Sequence, residues 1–432
     1  MRGSKMKTME GFDKARKLLD RQSPKDLEYK QEVAVRQIIN DVRLRGDKAL
    51  FELTEKFDGA KLTKLEVKPA QIKAACKKVD AKLVDAMKLA SERIGAFHRA
   101  QKERALPTYT QHKTGWVVRP LERVGVYAPG GTASYPSTVL MTAIPAKIAG
   151  VKEVILVTPP GKDGKISPAI LIAADIAGVN RIFSIGGAQA IAAMAFGTES
   201  VPRVDKICGP GNIYVFLAKK LVYGVVGIDG LQGPSEVVVI ADESANPDYC
   251  ASDLLAQAEH GGLSSAIMIT DSRQLVDKVN QAVEKQLKKL SRQAIIKESL
   301  ENNGMIVLVK NMDEAIELTN LYAPEHVLML TKNNTAYEEQ IMNAGCIIYG
   351  PQATVAMSDY VSGPSHTLPT EGTARFSSPL NVLDFLKITN ISGVDDALIR
   401  LAGEAAVTIA RAEGLDAHAQ AIELRMKNVG KK

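Results

Sequence analysis

Four of the six histidines in this 432-residue chain have a carboxylate close by in the sequence. An imidazole beside a carboxylate is the combination that metal ligation and general acid–base catalysis both use. The four pairs are Glu259 with His260, Glu325 with His326, Asp359 with His366, and Glu413 with His418. These pairs are therefore the first candidates for a chemical site, whereas His98 and His112 have no comparable neighbours.

Gln257 and His260 lie three residues apart near the end of a helix predicted over residues 248–260. Residues at this spacing project from one helix face, so the two side chains could grip one target. Zinc rarely takes glutamine as a ligand, however, and a histidine at the carboxyl end of a helix is favoured by the helix dipole alone. The spacing leaves metal ligation and a solvent-facing helix end both open.

Glu325 and His326 come just before a predicted strand. Adjacent residues on an extended chain point to opposite sides, so we expect different tasks for the two side chains, one serving a hydroxyl proton and the other a water. An exposed loop pair is the alternative.

Asp359 and His366 lie in a polar stretch, residues 358–370, that glycine and proline interrupt. The stretch is too long for a simple turn, and long structured loops are often functional. A solvated connection is the alternative. Glu413 and His418 flank a predicted helix junction in the tail, where they would by themselves indicate only a charged surface.

The elements that must position these residues alternate between short β-branched runs and alanine-rich stretches, which is typical of βαβ units and parallel sheets. The sequence predicts two α/β lobes, a mainly helical stretch over residues 20–105, and a helical tail from Asp395 that must pack on its own chain or on a partner. The predicted strands cover residues 124–127, 154–157, 181–185, 206–207, 237–240, 266–270, 305–309, 327–330 and 347–348.

Three glycine-containing turns each follow a predicted strand and precede a predicted helix: Pro129-Gly130-Gly131, Gly186-Gly187 and Gly209-Pro210-Gly211-Asn212. Such turns expose backbone N–H groups to phosphate, but none matches the GxGxxG fingerprint. Dinucleotide binding and ordinary strand-to-helix turns are therefore equally open. Cys208, before the third turn, is either a thiolate nucleophile or, more commonly for a buried cysteine, a packing residue.

Composition restricts the class of protein. The net charge of +6 comes from 55 basic and 49 acidic residues spread along the chain, and aromatic residues are only 5%. These values argue against nucleic-acid binding. Four cysteines without a CxxC motif fit a reducing compartment, and no apolar stretch approaches about 18 residues, so we expect a cytoplasmic protein without a membrane span.

Eight short motifs follow one another in a fixed order along the chain. They are Tyr127-Ala128-Pro129-Gly130-Gly131, Ile185-Gly186-Gly187-Ala188-Gln189-Ala190, Cys208-Gly209-Pro210-Gly211-Asn212, Gly233-Pro234-Ser235-Glu236, Gln257-Ala258-Glu259-His260-Gly261, Ala323-Pro324-Glu325-His326, the 359–370 loop, and residues 413–418. Each is weak alone, whereas the ordered set is specific: with it, the chain resembles the histidinol dehydrogenase family over residues 25–425. Gln232 and Ser365 depart from the common pattern, which has alanine and asparagine there, and both lie near the presumed substrate pocket.

The resemblance implies an α/β fold with two Rossmann-like lobes and mainly parallel sheets, and a homodimer that shares its active sites. It implies NAD-linked oxidation of L-histidinol to L-histidine through L-histidinaldehyde, with one zinc ion per subunit. Zinc would be held by Gln257, His260 and Asp359 of one chain and His418 of the other. His326 would accept the alcohol proton, and Glu325 would activate the water that hydrates the aldehyde.

The resemblance also implies the remaining contacts and the organisation of the chain. The substrate would be contacted by Ser235, Gln257, His260, Glu325, His326, Asp359, His366, Glu413 and His418. NAD would be contacted by Tyr127, Gln189 and Asn212. The expected organisation is an N-terminal helical segment over 1–24, a first lobe over 25–122 and 238–378, an NAD-binding lobe over 123–237, and a helical tail over 379–432 that reaches the partner subunit.

Two other interpretations can be compared with this one. A zinc-dependent dehydrogenase of another small alcohol could share the scaffold, but the presence of His366, Glu413 and His418 argues against it. A catalytically silent binding protein should have lost Glu325 or His326, and the chain keeps both.

Overall fold

The computed structural model of the chain describes residues 6–21, 29–105, 107–111, 113–130 and 134–429, with only the backbone described at Tyr29 and Cys76. His112, Gly131 and the outer ends of the predicted N-terminal segment and tail lie outside the described residues. The chain divides into two compact units. The first runs to Glu103 and continues over Pro120–Phe385, and the second comprises Arg104–Arg119 and the residues from Leu386 onward.

The described residues form the following elements. The strands are β1 (Lys7–Glu10), β2 (Tyr109–Gln111), β3 (Thr114–Pro120), β4 (Arg123–Tyr127), β5 (Glu153–Thr158), β6 (Arg181–Ser184), β7 (Lys206–Cys208), β8 (Gly227–Ile228), β9 (Glu236–Ala241), β10 (Ser265–Thr270), β11 (Gly304–Leu308), β12 (His326–Leu330), β13 (Cys346–Tyr349) and β14 (Leu386–Ser392). The helices are α1 (Phe12–Leu19), α2 (Tyr29–Arg45), α3 (Asp47–Asp58), α4 (Pro69–Cys76), α5 (Ala81–Arg104), α6 (Pro136–Ala149), α7 (Pro168–Ile176), α8 (Gly187–Phe196), α9 (Ile213–Val222), α10 (Pro247–Ala258), α11 (Arg273–Leu287), α12 (Gln293–Asn303), α13 (Met312–Tyr322), α14 (Asn334–Glu338), α15 (Val355–Tyr360), α16 (Asp396–Ala412) and α17 (Asp416–Met426). No helix in these ranges is both long and apolar enough to cross a membrane.

A five-stranded parallel sheet in the first unit has the order β6-β5-β4-β7-β8. The chain moves outward from β4 through β5 to β6, and then returns to place β7 on the other side of β4. The carboxyl ends of β4 and β7 therefore form a topological switch point, which is where open α/β sheets bind ligands. Helices cover both faces of this sheet, which explains why strands such as β5 are continuous apolar runs.

Helices α2 and α3 contribute to the core of the five-stranded sheet. Val35 and Leu50 lie in one buried cluster with Ile155 and Phe183. The sequence grouped residues 25–122 with the other lobe, yet these two helices bury their apolar faces here, against α8 and α9. The other lobe boundaries stay a prediction.

A six-stranded parallel sheet, also in the first unit, has the order β1-β11-β10-β9-β12-β13. Its central strands β9 and β10 are buried along their whole length, between α10, α11 and α12 on one face and α1 and α13 on the other. The expected N-terminal helix is α1. Strand β1, which precedes this helix, is not predicted from the sequence, because its residues Lys-Thr-Met-Glu have no apolar alternation and the strand pairs through its backbone.

The second unit contains a three-stranded sheet, β14-β3-β2, and the helices α16 and α17. The predicted helical tail is confirmed over these two helices, which pack closely where Gly403 faces Met426. The prediction missed β14, whose residues are almost all exposed. Helix α16 also leaves Leu401 and Ile409 exposed, at 85% and 61%.

A buried lysine fixes the turn that follows β7. The Lys219 ammonium donates to Asp229 at 2.5 Å, to the Gly209 carbonyl at 3.0 Å and to the Gln232 side-chain oxygen at 2.6 Å. The other Asp229 oxygen accepts the N–H of Gly209 at 2.8 Å. All three ammonium protons are thus used, and the ion pair holds both backbone groups of Gly209.

We expect Lys219→Met to lower the free energy of unfolding by about 3–5 kcal/mol, because it leaves the Asp229 carboxylate buried without its counter-charge. Urea unfolding followed by circular dichroism measures this loss. Adding Asp229→Asn should restore part of it, since the double variant no longer buries a lone charge. A single variant within about 1 kcal/mol of the original chain, the size of an exposed pair, would contradict the argument.

Candidate active site

The predicted acid–base pair lies at the amino edge of the six-stranded sheet. His326 is the first residue of β12 and is 3% exposed, and Glu325 directly before it is 8% exposed. His326 Nδ1 lies 3.7 Å from Glu325 Oε2. The two side chains therefore do not point to opposite sides as the sequence predicted, because Glu325 precedes the strand and bonds the start of β9.

The backbone of Glu236, the first residue of β9, holds both groups. Its N–H donates to Glu325 Oε2 at 2.8 Å, and its carbonyl accepts from His326 Nδ1 at 3.3 Å. A carbonyl can only accept, so Nδ1 carries a proton and Nε2 of the neutral ring keeps its lone pair. Nε2 lies 3.3 Å from Asp359 Oδ1 and has no hydrogen-bond partner among the described residues. A histidine held in this tautomer can accept a proton at Nε2.

The side chain of Glu236 ties the site to the N-terminal segment. Arg21 Nη1 lies 2.7 Å from Glu236 Oε1, and the guanidinium stacks 3.4 Å from the centre of the Tyr322 ring. The Tyr322 hydroxyl in turn donates to Ser265 Oγ at 2.7 Å. Arg21, which stacks on Tyr322, thus holds the side chain of Glu236 in place.

The two catalytic candidates have strongly shifted proton affinities. Burial raises the pKa of Glu325 to about 8. Burial opposes protonation of His326, but the neighbouring carboxylates of Glu325 and Asp359 outweigh it and raise the pKa of His326 to about 9. The groups titrate as a coupled pair, and such perturbed pairs are typical of active sites.

Three of the four predicted metal ligands come from elements beside this pair. Asp359 lies in α15, and its charge acts on both His260 and His326. His260 lies just after the end of α10. Partial burial by the surrounding protein lowers its pKa, although the residue keeps an exposed surface. Gln257 in α10 is 1% exposed, and neither of its amide atoms has a hydrogen-bond partner among the described residues.

This donor set fits a metal ion. Within the described ranges, no three His, Cys, Asp or Glu side chains are placed to hold a metal ion together. The predicted set has only two such side chains in the first unit, His260 and Asp359. Its third member is the amide of Gln257, whose unpaired buried atoms each cost about 1–3 kcal/mol. A cation bound by the amide oxygen would offset part of that cost, which an ordinary packing role for Gln257 would not.

Asp253 connects the two helices that carry the donors. It lies in α10 one turn before Gln257, and its Oδ1 accepts from the Val355 N–H at 2.9 Å and from the Thr354 hydroxyl at 2.7 Å. The carboxylate therefore caps the start of α15, the helix of Asp359, from outside. The sequence shows only that Asp253 and Gln257 share a helix face, because its partners are about 100 residues away.

His366 connects the site to the five-stranded sheet. Its Nδ1 donates to the Asp359 carbonyl at 2.9 Å, and its Nε2 lies 3.3 Å from the hydroxyl of Thr138 in α6, the helix that follows β4. Burial lowers the pKa of His366, so the neutral ring that can accept from Thr138 is favoured. The site at the amino edge of the six-stranded sheet is thus joined to α6, the helix that follows the carboxyl end of β4 in the five-stranded sheet.

The residues that depart from the family pattern both have protein partners. Gln232 accepts from buried Lys219, and Ser365 Oγ donates to the Met141 carbonyl at 3.3 Å. Ser235 is half-buried directly before Glu236, and its carbonyl accepts from the Ser265 N–H at 2.9 Å. The Gln232 side-chain oxygen and the Ser365 hydroxyl therefore bind the surrounding protein.

The last two predicted site residues belong to the second unit. Glu413 ends α16, and His418 lies in the first turn of α17. Both are exposed. Their predicted roles toward substrate and metal stay predictions.

The predicted NAD contacts lie at the carboxyl edge of the five-stranded sheet. Tyr127 ends β4, and its hydroxyl accepts the Gly187 N–H at 3.1 Å. Gln189 is buried in α8, while Asn212 caps α9 with its side-chain oxygen and is exposed. Gly209 has a φ of +114°, and a Cβ there would lie 2.1 Å from the Tyr127 carbonyl, so only glycine fits between β4 and β7.

Cys208 is fully buried at the end of β7. Burial raises the pKa of its thiol well above the usual range. A protonated thiol without access to solvent is a poor nucleophile, so the packing interpretation of Cys208 is the one that its environment favours.

A buried acid–base pair on one parallel sheet, next to the switch point of another, defines an α/β enzyme. The family model of histidinol dehydrogenase matches residues 20–426. A histidinol dehydrogenase of Dehalococcoides mccartyi is 58% identical over 92% of this chain and 91% of its own, and one of Clostridium acetobutylicum is 49% identical over 91% and 92%. The crystal structure of the enzyme from Elizabethkingia anophelis matches with a TM-score of 0.91 and 38% identity over 99% of both chains. The chain therefore belongs to the histidinol dehydrogenase family, and it is an oxidoreductase.

We expect Asp253→Ala to lower the free energy of unfolding by about 2 kcal/mol, because it leaves the Val355 N–H and the Thr354 hydroxyl without their cap. Asp253→Asn should lose less, since an amide oxygen still accepts. Urea unfolding gives the stability, and hydrogen exchange at Val355 reports the start of α15 directly. Unchanged exchange at Val355 in the alanine variant would refute the capping role.

Proposed function

We propose that the protein catalyses the zinc-dependent, NAD-linked oxidation of L-histidinol to L-histidine through L-histidinaldehyde. The observation that carries this proposal is the pairing of Glu325 and His326, buried together, beside the unpaired amide of Gln257. One arrangement thus offers a base, a second proton carrier and a metal donor. The relatives are named for the same substrate.

The reaction needs two oxidations and one water. In the first, a hydride leaves the alcohol carbon while the hydroxyl proton moves to Nε2 of neutral His326, a form whose fraction grows as the pH rises toward the pKa of about 9. Glu325, in the ionised form that predominates above its pKa of about 8, then takes a proton from water, whose oxygen adds to the aldehyde carbon. In the second oxidation a hydride leaves the carbon of the resulting hydrate and its two hydroxyl protons pass to solvent, giving the carboxylate. NAD would accept both hydrides, one per molecule.

Gln257, His260 and Asp359 would hold zinc together with the partner subunit's His418. When bound, zinc would serve as a fixed template that holds the imidazole and amine nitrogens of the substrate. Ser235, His366 and Glu413 would orient the substrate. The contact of His366 with Thr138 supports this position for the substrate, since it links the site to the helix after β4.

Tyr127, Gln189 and Asn212 would contact NAD at the switch point between β4 and β7. The exposed apolar residues of α16 support a homodimer in which the tail reaches the partner. Cys208, Cys250 and Cys346 are free, which supports a reducing compartment, and we expect the cytoplasm.

The defining experiment counts NADH formed per L-histidinol by the zinc-loaded protein. We expect two. Glu325→Gln should stop near one and accumulate aldehyde, because the water is no longer activated. Cys208→Ser is the contrasting variant and should keep most activity. No turnover, or a preference for another alcohol, would contradict the proposal, and an inactive serine variant would instead indicate a thiol nucleophile.

If each active site takes donors from both subunits, two inactive variants should complement each other in mixed dimers. His418→Asn and Gln257→Ala, each inactive alone, should regain part of the activity when the two proteins are mixed and allowed to exchange subunits. Mixed dimers would contain one complete set of donors. The measurement is activity against mixing time, with dimer content followed by light scattering. Intact mixed dimers that stay inactive would place all donors within one chain.

A further inference from the structure

The five-stranded sheet has the strand order of a dinucleotide-binding fold but lacks one of its features. Counted from β4, its order is 3-2-1-4-5. In such folds an acidic residue beyond the glycine turn, after the second strand, binds the ribose hydroxyls of NAD. Here the second strand, β5, ends in Thr158-Pro159-Pro160, and the acidic residue of β5, Glu153, lies at the other edge and pairs with Arg123 at 2.5 Å.

Asp58 reaches the same edge from a different element. It is the last residue of α3, and a Cβ on the following Gly59 would lie 3.8 Å from Lys162 Cγ in the loop after β5. The chain then runs beside β6, where the Leu65 carbonyl accepts the Ser184 N–H at 2.7 Å. Asp58 therefore lies at the carboxyl edge of the sheet, the edge that carries Tyr127.

Tyr127 and Asp58 share one electrostatic environment. Burial raises the pKa of the Tyr127 hydroxyl to about 12, and the carboxylate of Asp58 adds to this shift. The Tyr127 hydroxyl accepts the Gly187 N–H at the start of α8. The Asp58 carboxylate thus lies close to Tyr127, which precedes the first glycine turn, and to the second glycine turn, which contains Gly187. Both turns frame the proposed dinucleotide crevice.

The position of Asp58 is unfavourable for the protein alone. Its Oδ2 is buried and has no hydrogen-bond partner in the part of the chain that the structure describes, and burial raises its pKa to about 6. A negative charge at the carboxyl end of a helix is also disfavoured by the helix dipole. A ligand with hydroxyl groups could donate hydrogen bonds to this half-buried carboxylate and so offset the unfavourable free energy of its position.

We propose that Asp58 accepts hydrogen bonds from the adenosine ribose hydroxyls of NAD and thereby selects NAD over NADP. This inference rests on the proposed use of NAD. A 2′-phosphate would replace a donor with about two negative charges and be repelled by the carboxylate. Asp58 is therefore a specificity-determining residue supplied by α3, in place of the acid that the loop after β5 lacks.

The test compares Asp58→Asn with Glu55→Gln, an exposed carboxylate one turn earlier on the same helix. For Asp58→Asn we expect KM for NAD to rise about tenfold or more, the usual effect of losing hydrogen bonds to a charged group, while kcat stays the same. The ratio of kcat/KM for NAD to that for NADP should fall by at least as much. Glu55→Gln should leave both values unchanged.

Stability separates ligand recognition from a structural role. The folded pKa of Asp58, about 6, lies above its ordinary 3.8, so the contribution of Asp58 to stability is complete below pH 4 and is lost as the pH rises through 6. Without cofactor, Asp58→Asn should melt at the same temperature as the original chain at pH 4 and at a higher temperature at pH 8. A structural role would lower the melting temperature at pH 8.

Calorimetric binding of ADP-ribose distinguishes failure of this inference from failure of the proposed function. If the original chain oxidises no L-histidinol with either dinucleotide, the proposed function fails, and tenfold weaker ADP-ribose binding by Asp58→Asn still supports the role of Asp58. Unchanged KM values and unchanged ADP-ribose affinity overturn it. An original chain that prefers NADP would also overturn it and would point to Lys162 as the residue beside the ribose.

Discussion

The candidate active site depends on one residue's backbone. Glu236 donates its N–H to Glu325 and accepts from His326 with its carbonyl, so a single peptide segment fixes the distance and the tautomer of the acid–base pair. Hydrogen bonds of this kind are worth only about 1 kcal/mol each in stability, but they decide which ring nitrogen can accept a proton. The ion pair with Arg21 and the full burial of β9 keep that segment in place.

The two sheets divide the chemistry between opposite edges. The acid–base pair stands where β9 and β12 begin, whereas the proposed NAD contacts stand where β4 and β7 end. The general rule for open α/β sheets places ligands at carboxyl ends and accounts for only the second of these. The first lies at an amino edge, where the contact between His366 and Thr138 brings the loop after α15 against the helix that follows β4.

Much of the fold could be predicted from the sequence, because long apolar runs and alanine-rich stretches specify buried parallel strands and their helices. Of the strands that escaped prediction, β1, β2 and β8 are short, β14 is exposed, and β3 is half-buried and lacks a long apolar run. For the site, the histidine–carboxylate pairs marked the correct neighbourhood. The side-by-side placement of Glu325 and His326 could not be predicted, since it follows from a bond to Glu236, 89 residues away. The roles of Asp253 and Arg21 likewise arise from partners that a single sequence cannot reveal.

Arg21 gives the start of the chain an importance that its own residues do not suggest. Through the ion pair with Glu236, the N-terminal segment that carries β1 and α1 supports the residue that orients the proton acceptor. Changes that disturb β1 or α1 would then act on the rate of the reaction while leaving every catalytic side chain intact. For anyone engineering this scaffold, the position of a fusion or an affinity tag at the amino terminus is thus a decision about the active site.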